Sequence, residues 1–217
     1  MKSKFKPNKK ERISKYGEVF TPKNIVDEII NLIPNESSLI ESRHLEPACG
    51  DGNFLLPILK RKLEIVSSKY KKNNRDYNIY SLLALSSIYG IEKLPLNVVS
   101  ARKRLIEHYS IKYIDLFNVK IEKKLLNSIQ TIVERNIING DAISLTKIDK
   151  LDDIVFSEWS LVNKTYFKRR DFTFKQIIDY SPMDGLNLFS DLGENAFIPK
   201  PIKEYPLKHY LKISYVS

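Results

Sequence analysis

Leu45-Glu46-Pro47-Ala48-Cys49-Gly50-Asp51-Gly52-Asn53-Phe54-Leu55 joins a short apolar run, Ser38 to Leu45, to a stretch where Phe54, Leu55, Ile58, Leu59 and Leu63 recur at helical intervals. The pattern reads as strand, tight turn and helix. Gly50 and Gly52 permit backbone conformations that a side chain forbids and let a ligand approach the main chain. The amides of such a turn, at the start of a helix, face an acidic or polar ligand group. Loops of this design hold part of a nucleotide-like cofactor at the carboxyl edge of a parallel sheet. No Gly-Lys-Ser/Thr follows, which rules out the triphosphate-cradling loop. The dinucleotide fingerprint lacks its third glycine, and Glu46 precedes the turn. An acid at the strand end and another inside the turn repel phosphate and suit a cofactor carrying an amino group or a sulfonium, which favours S-adenosylmethionine. The spacing by itself leaves open an ordinary strand-to-helix turn.

The 217 residues suffice for one domain, or one domain with an appendage, around a sizeable core. Apolar residues make up 42% and charged residues 29%, both globular values. The net charge of +10 points to an anionic partner, of which nucleic acid is the usual one. A lysine-, asparagine- and isoleucine-rich composition reflecting an AT-rich genome accounts for it equally well. The single cysteine, Cys49, excludes an internal disulfide and a cysteine-based metal cluster, and fits a reducing cytoplasm. In the glycine turn it reads as a packing residue rather than a nucleophile. His44, His108 and His209 have no metal-ligand spacing, so no metal is expected. Residues 1–15 form a basic arm with no apolar segment behind it, either solvated or touching phosphates. The longest apolar stretch, Ile79 to Ile91, is too short to span a bilayer, and no membrane partner is expected.

Along the chain, Thr21 reads as a helix N-cap with Pro22 at the first helical position, and Ile25, Val26, Ile29, Ile30 and Ile33 give one apolar face. Phe54 to Tyr70 is a crossover helix, Lys69 to Asn74 a polar surface loop, and Tyr77 to Leu85 a second helix. Ile88-Tyr89-Gly90-Ile91-Glu92 then reads as a second parallel strand closed by an acid. A carboxylate so placed accepts both ribose hydroxyls of a nucleoside. Its other reading is an acid at the start of the next helix. Helices are expected from Pro95 to Tyr109, with Leu96, Val99 and Leu105 inward and Arg102, Lys103 and Arg104 outward, and from Tyr113 to Ile132. Asn136 to Ala142 is a short strand ending in Asn-Gly-Asp, and Asp152 to Phe156 a fourth strand.

Glu46-Pro47-Ala48-Cys49-Gly50-Asp51-Gly52-Asn53-Phe54-Leu55 resembles the cofactor motif of adenine-specific (N6) DNA methyltransferases, and Gly17-Glu18-Val19-Phe20-Thr21-Pro22 resembles their N-terminal cofactor motif. Their order and distance are similar to those in type I modification subunits and related restriction-modification enzymes, from about Tyr16 to about Phe156. The resemblance implies a doubly wound α/β domain with a mainly parallel sheet, helices on both faces and S-adenosylmethionine across its carboxyl edge. It implies that Phe20 and Thr21 lie against the cofactor, Thr21 near its carboxylate. It further implies that Glu46, Pro47, Ala48, Gly50, Gly52, Asn53 and Phe54 surround the cofactor with Glu92. Asp141 would accept a hydrogen bond from the adenine amino group, with Ala142 and Ile143 alongside.

The pattern departs from the family at the end of the fourth strand. There the family carries Asn/Asp-Pro-Pro-Tyr, whose oxygens accept the protons of the target adenine's amino group while the Tyr stacks on the flipped base. Here stands Ser157-Glu158-Trp159-Ser160. Glu158 and Trp159, or Asn163 and Tyr166, are the available substitutes. Against both stands the reading of Trp159 as core and Asn163 as loop, so no catalytic residue is assigned. The segment with Tyr166, Phe167, Lys168, Arg169, Arg170, Phe172, Phe174 and Lys175 either grips phosphates and stacks bases or closes the sheet as a β-segment. His209 to Val216 reads as a last strand. The expected organisation is a basic arm (1–15), a cofactor-binding methyltransferase domain (16–160) and an aromatic, basic C-terminal segment (161–217). The expected function is adenine N6 methylation of DNA, with DNA and a further chain for target recognition as partners. The alternative is a non-catalytic S-adenosylmethionine-binding subunit or regulator.

Overall fold

The computed structural model describes residues 21–32, 40–149, 152–179 and 200–214. Helix α1 (Lys23–Asn31) buries Val26 and Ile30 and leaves Ile25 and Ile29 exposed, a narrower apolar face than the isoleucine pattern suggests. Its cap is Pro22 in an extended conformation with no side-chain hydrogen bond, so Thr21 is not the N-cap. Ile33 lies outside the described residues.

Strand β1 (His44–Glu46) is shorter than the expected Ser38–Leu45 run. Ile40 and Glu41 instead form a turn, because their carbonyl side is claimed by other partners. The buried Lys62 ammonium donates to Ile40 O at 3.3 Å and Ser42 O at 2.7 Å, and the Ser87 hydroxyl donates to Ile40 O at 3.3 Å. Helix α2 (Leu55–Tyr70) turns Leu55, Leu59, Leu63 and Val66 into the core, at the i, i+4 spacing that the sequence shows. After a short exposed turn, Asn73 caps α3 (Asn74–Ser86) by accepting from the Asp76 amide. Strand β2 (Ile88–Glu92) follows within its expected bounds.

Helix α4 (Pro95–Phe117) does not stop near Tyr109. Tyr109, Tyr113 and Phe117 share one face at four-residue spacing, and the last two pack against Tyr77, which carries the helix two turns further. Asn118 ends it in the left-handed region (φ 53°), so α5 begins at Lys123 and runs to Asn136. Strand β3 (Ile137–Asp141) and the two-residue β4 (Thr146–Lys147) complete a sheet of order β1-β2-β3-β4. The first three strands are parallel, with Leu45 opposite Tyr89 and Ile91 opposite Ile138; β4 runs antiparallel to β3. Both crossovers step in the same direction, and right-handed connection sets α2 to α5 on one face. Ile88, Ile137 and Cys49 meet those helices there, whereas Tyr89, Ile91 and Ile138 face the other way.

The fourth strand departs from expectation. β5 (Val155–Val162) starts late, runs through Ser157–Ser160 without a break, and pairs antiparallel with β6 (Tyr166–Thr173) rather than joining the parallel sheet. The turn uses positive φ at Asn163 and Lys164 (49° and 64°). Alternation decides the outcome: Ser157, Trp159, Phe167, Arg169 and Asp171 share one buried face of the hairpin. Helix α6 (Phe174–Asp179) lays Phe174 on Phe156, whose ring in turn meets Tyr89, covering part of the parallel sheet's second face. Two short strands, β7 (Lys203–Glu204) and β8 (Lys208–His209), pair with β6. The expected last strand from His209 is instead a single 3-10 turn at Tyr210–Lys212 after β8, because Tyr210 turns into the core and Ser128 holds its carbonyl. The result is a mixed α/β architecture whose first sheet is mostly parallel, compatible with a Rossmann-like fold. Among the described residues no helix is long and apolar enough to cross a membrane.

Candidate functional site

The carboxyl ends of β1, β2 and β3 converge on the glycine turn. Gly50 and Gly52 take φ of 55° and 90°, which ordinary side chains resist. Their amides are spent inside the protein, not presented to a ligand as the sequence suggests. The Gly50 amide donates to Glu92 Oε2 at 2.9 Å, and the Gly52 amide to Cys49 O at 2.9 Å. Cys49 in turn donates its amide to Ile91 O. Gly90 allows this close approach, since a Cβ there would sit 2.9 Å from Cys49 Sγ and from Leu55 Cδ1. The Cys49 thiol is buried, and burial with the nearby Glu92 and Glu46 carboxylates pushes its pKa up to about 12. It is therefore a packing group and a poor nucleophile.

Glu92 also accepts the Leu94 amide on Oε1, so each of its oxygens keeps lone-pair capacity for one more donor. Glu46 accepts the Ala48 amide at 3.2 Å. One strand along, Asp141 Oδ1 accepts the Ile143 amide at 2.9 Å, and its Oδ2 meets Lys93 Nζ at 2.8 Å. The Lys93 ammonium, and after it the Ile143 amide, hold the Asp141 carboxyl below its ordinary range. Asn139 ties the same two strand ends together by donating to Glu92 O and Lys93 O. Arg104 reaches from α4 to the turn, with Nη1 at 2.8 Å from both Asp51 O and Asp51 Oδ1 and at 3.2 Å from Asn53 Oδ1. Arg102 likewise turns back, onto Ile137 O, so neither arginine points outward. On the same helix Leu96 and Val99 are exposed, with Val98 and Ala101 taking the expected inward places.

Glu46, Gly50, Gly52, Asn53, Glu92 and Asp141 thus stand on the loops of one sheet edge. Pro47 and Ala48 are exposed on the turn, Phe54 precedes α2, and Ala142 follows Asp141 beside an almost fully exposed Ile143. The bonds that fix α1 run from Arg61 of α2 to Ile30 O and Asn31 Oδ1, and none of them involves Thr21. Phe20 lies outside the described residues. Lys93, Arg104 and Asn139 were missed by sequence reasoning. Adjacency to Glu92 offered a signal for Lys93; nothing in the run Arg102-Lys103-Arg104 singles out the last.

Both substitutes for the missing proline motif fall at the opposite, amino-terminal edge. Glu158 accepts from Arg43, just before β1, at 3.0 Å and from Arg170 at 3.0 Å. A cleft of about 160 Å³ there is lined by Arg43, Ser86, Ser87, Tyr89, Glu158 and Trp159, among others. Trp159 is a buried core side chain, and Asn163 lies still further along β5 in the hairpin turn. The aromatic, basic segment is the β-segment of the two readings. Arg169 makes a buried, two-pronged pair with Asp171, and Lys168 and Arg170 face Glu204 and Glu158.

Comparison with known proteins gives one partial likeness: 94 residues, 43% of this chain, are 35% identical to a Type I restriction enzyme MjaVII methylase subunit of Methanocaldococcus jannaschii. The match spans 13% of that subunit's length. No family model matches the chain, and no solved structure matches it.

Proposed function

We propose that this chain binds S-adenosylmethionine at the carboxyl edge of β1, β2 and β3, as the cofactor-binding part of a DNA adenine N6 methyltransferase of the restriction-modification kind. The observation that carries the reading is the Glu92 carboxylate at the end of β2, bonded to the Gly50 amide of the glycine turn and one strand away from the Asp141 carboxylate. Two carboxylates at neighbouring strand ends beside a tight turn suit a ligand with ribose hydroxyls and an exocyclic amine. Glu92 would take the hydroxyls on its remaining lone pairs. Asp141 would take the adenine amino group, with Ala142 beside the ring. Glu46, Pro47, Ala48, Gly50, Gly52, Asn53 and Phe54 would enclose the methionine end, and Phe20 and Thr21 would cover it. When bound, the cofactor supplies a methyl group on a sulfonium, open to in-line attack without a covalent enzyme intermediate. The partial likeness to a methylase subunit supports the same direction.

The second reading, cofactor binding without methyl transfer by this chain alone, is favoured by one observation. Ser157–Ser160 lies inside β5 and against the amino-terminal edge, away from the glycine turn. Acceptors for the target adenine's amino group would then come from another polypeptide, together with target recognition.

Calorimetric titration with S-adenosylmethionine tests the cofactor. The wild-type chain should bind, and Asp141→Ala should weaken binding by about tenfold to a hundredfold, the effect of losing a charged hydrogen-bond acceptor. No heat of binding with the wild-type chain would defeat the reading.

A further inference from the structure

We propose that Arg104 is a positioning residue of the cofactor site, fixing the glycine turn and neutralising Asp51 within it; this rests on the S-adenosylmethionine reading above. Arg104 stands 54 and 52 positions from Gly50 and Gly52 in sequence, on a different crossover helix, yet its Nη1 donates to Asp51 O and Asn53 Oδ1 and stands 2.8 Å from Asp51 Oδ1 as an ion pair without hydrogen-bond geometry. Those residues flank Gly52, whose left-handed conformation the turn must maintain. A side chain that holds both flanks removes turn conformations before a ligand arrives, which is how preorganisation raises affinity.

The same contact fixes the local charge. Asp51 alone would place a carboxylate in the turn that the sequence pairs with an amino or sulfonium group. With Arg104 at 2.8 Å Asp51 is neutralised, and Glu46 is the turn's remaining carboxylate. Both side chains are about a third exposed, so solvent screens the pair but does not cancel it. The pair therefore lowers the turn's preference for the cationic sulfonium of S-adenosylmethionine over the neutral thioether of S-adenosylhomocysteine, leaving that preference to Glu46, while Glu92 and Asp141 meet the adenosyl part. Packing on its own does not generate this charge dependence.

The test measures the affinity of both ligands for the wild-type chain, Arg104→Met, Arg104→Lys and Asp51→Asn, with the melting temperature of each. Arg104→Met should lose about tenfold in affinity for both ligands and shift its preference severalfold toward the sulfonium, because Asp51 is left unneutralised. Arg104→Lys should recover part of the loss. Asp51→Asn, nearly isosteric and expected to fold, should shift preference the opposite way, toward the thioether, since Arg104 then faces the sulfonium without its counter-ion. Opposite shifts in the two variants support the proposal. Equal preference in wild type and both variants overturns it, as does Arg104→Met binding within twofold of wild type. Failure of the wild-type chain to bind either ligand defeats the cofactor reading itself, a result distinct from these.

Discussion

Lys93 sits on the oxygen that the candidate site most needs. Its ammonium is 2.8 Å from Asp141 Oδ2, and with the Ile143 amide on Oδ1 it holds Asp141 ionised to lower pH than an ordinary carboxyl. An arriving adenine amino group must displace Lys93, share the oxygen or use its second lone pair. Competition of this kind costs affinity, and Lys93 is exposed enough to leave. Lys93→Ala should therefore bind S-adenosylmethionine severalfold more tightly near neutral pH. The advantage shrinks in acid. Wild-type Asp141, its pKa depressed, stays an acceptor as pH falls, whereas in the variant it regains a proton at higher pH and loses the ligand earlier. Titrations of both proteins from pH 7 down to about pH 3, below the ordinary carboxyl value of 3.8, should give curves that converge. Parallel curves would mean that Lys93 and the ligand do not meet at Asp141.

The entry to β1 shows what element-level sequence patterns reveal and what they miss. The glycine turn, β2 and β3 are legible because backbone requirements write themselves into residue type: glycine at positive φ and close approach, β-branched runs ended by an acid. Ile40 and Ser42 look like strand residues by the same rule, and only Lys62, twenty positions on, turns them aside. Polarity patterns sort a lysine outward and cannot foresee that carbonyls will receive it. Arg169 and Asp171 mislead in the same manner, though opposite charges two apart on one strand face were a readable sign that they neutralise each other. Burial lowers the Lys62 pKa to about 7. Between about pH 7 and its ordinary 10.5 the unfolded chain binds a proton that the folded chain has released, so stability rises with pH across that window and the gain is absent below it. Urea midpoints for wild type and Lys62→Met at pH 7 and pH 9 check the sign. The wild type should gain relative to the variant by an amount on the order of 1 kcal/mol. An unchanged difference would mean that Lys62 keeps its proton when folded.

At the scale of the whole molecule, the two sheets divide the site from the residues expected to complete it. The parallel sheet brings Gly50, Glu92 and Asp141 to one edge through three short strands. The hairpin, which follows Asp141 in the chain, runs past to the other edge. Glu158 is there committed to Arg43 and Arg170, and Trp159 to the core. Releasing Trp159 would open a cavity, costing about 3 to 5 kcal/mol, so a modest rearrangement does not recruit it, whereas the Glu158 pairs, with Arg43 and Arg170 more than a third exposed, hold that carboxylate less strongly. The basic residues of the hairpin are similarly taken up by Asp171, Glu204 and Glu158, which weakens the inference from net charge to a DNA-gripping surface at that place. The isolated chain should therefore bind S-adenosylmethionine yet transfer no labelled methyl to adenine in mixed-sequence duplex DNA above the rate seen with Asp141→Ala. Asn163→Ala and Glu158→Gln should leave cofactor affinity unchanged. Transfer by the isolated wild-type chain that Asp141→Ala abolishes would overturn this division of labour. Loss of that transfer in Glu158→Gln would bring the hairpin back into the reaction.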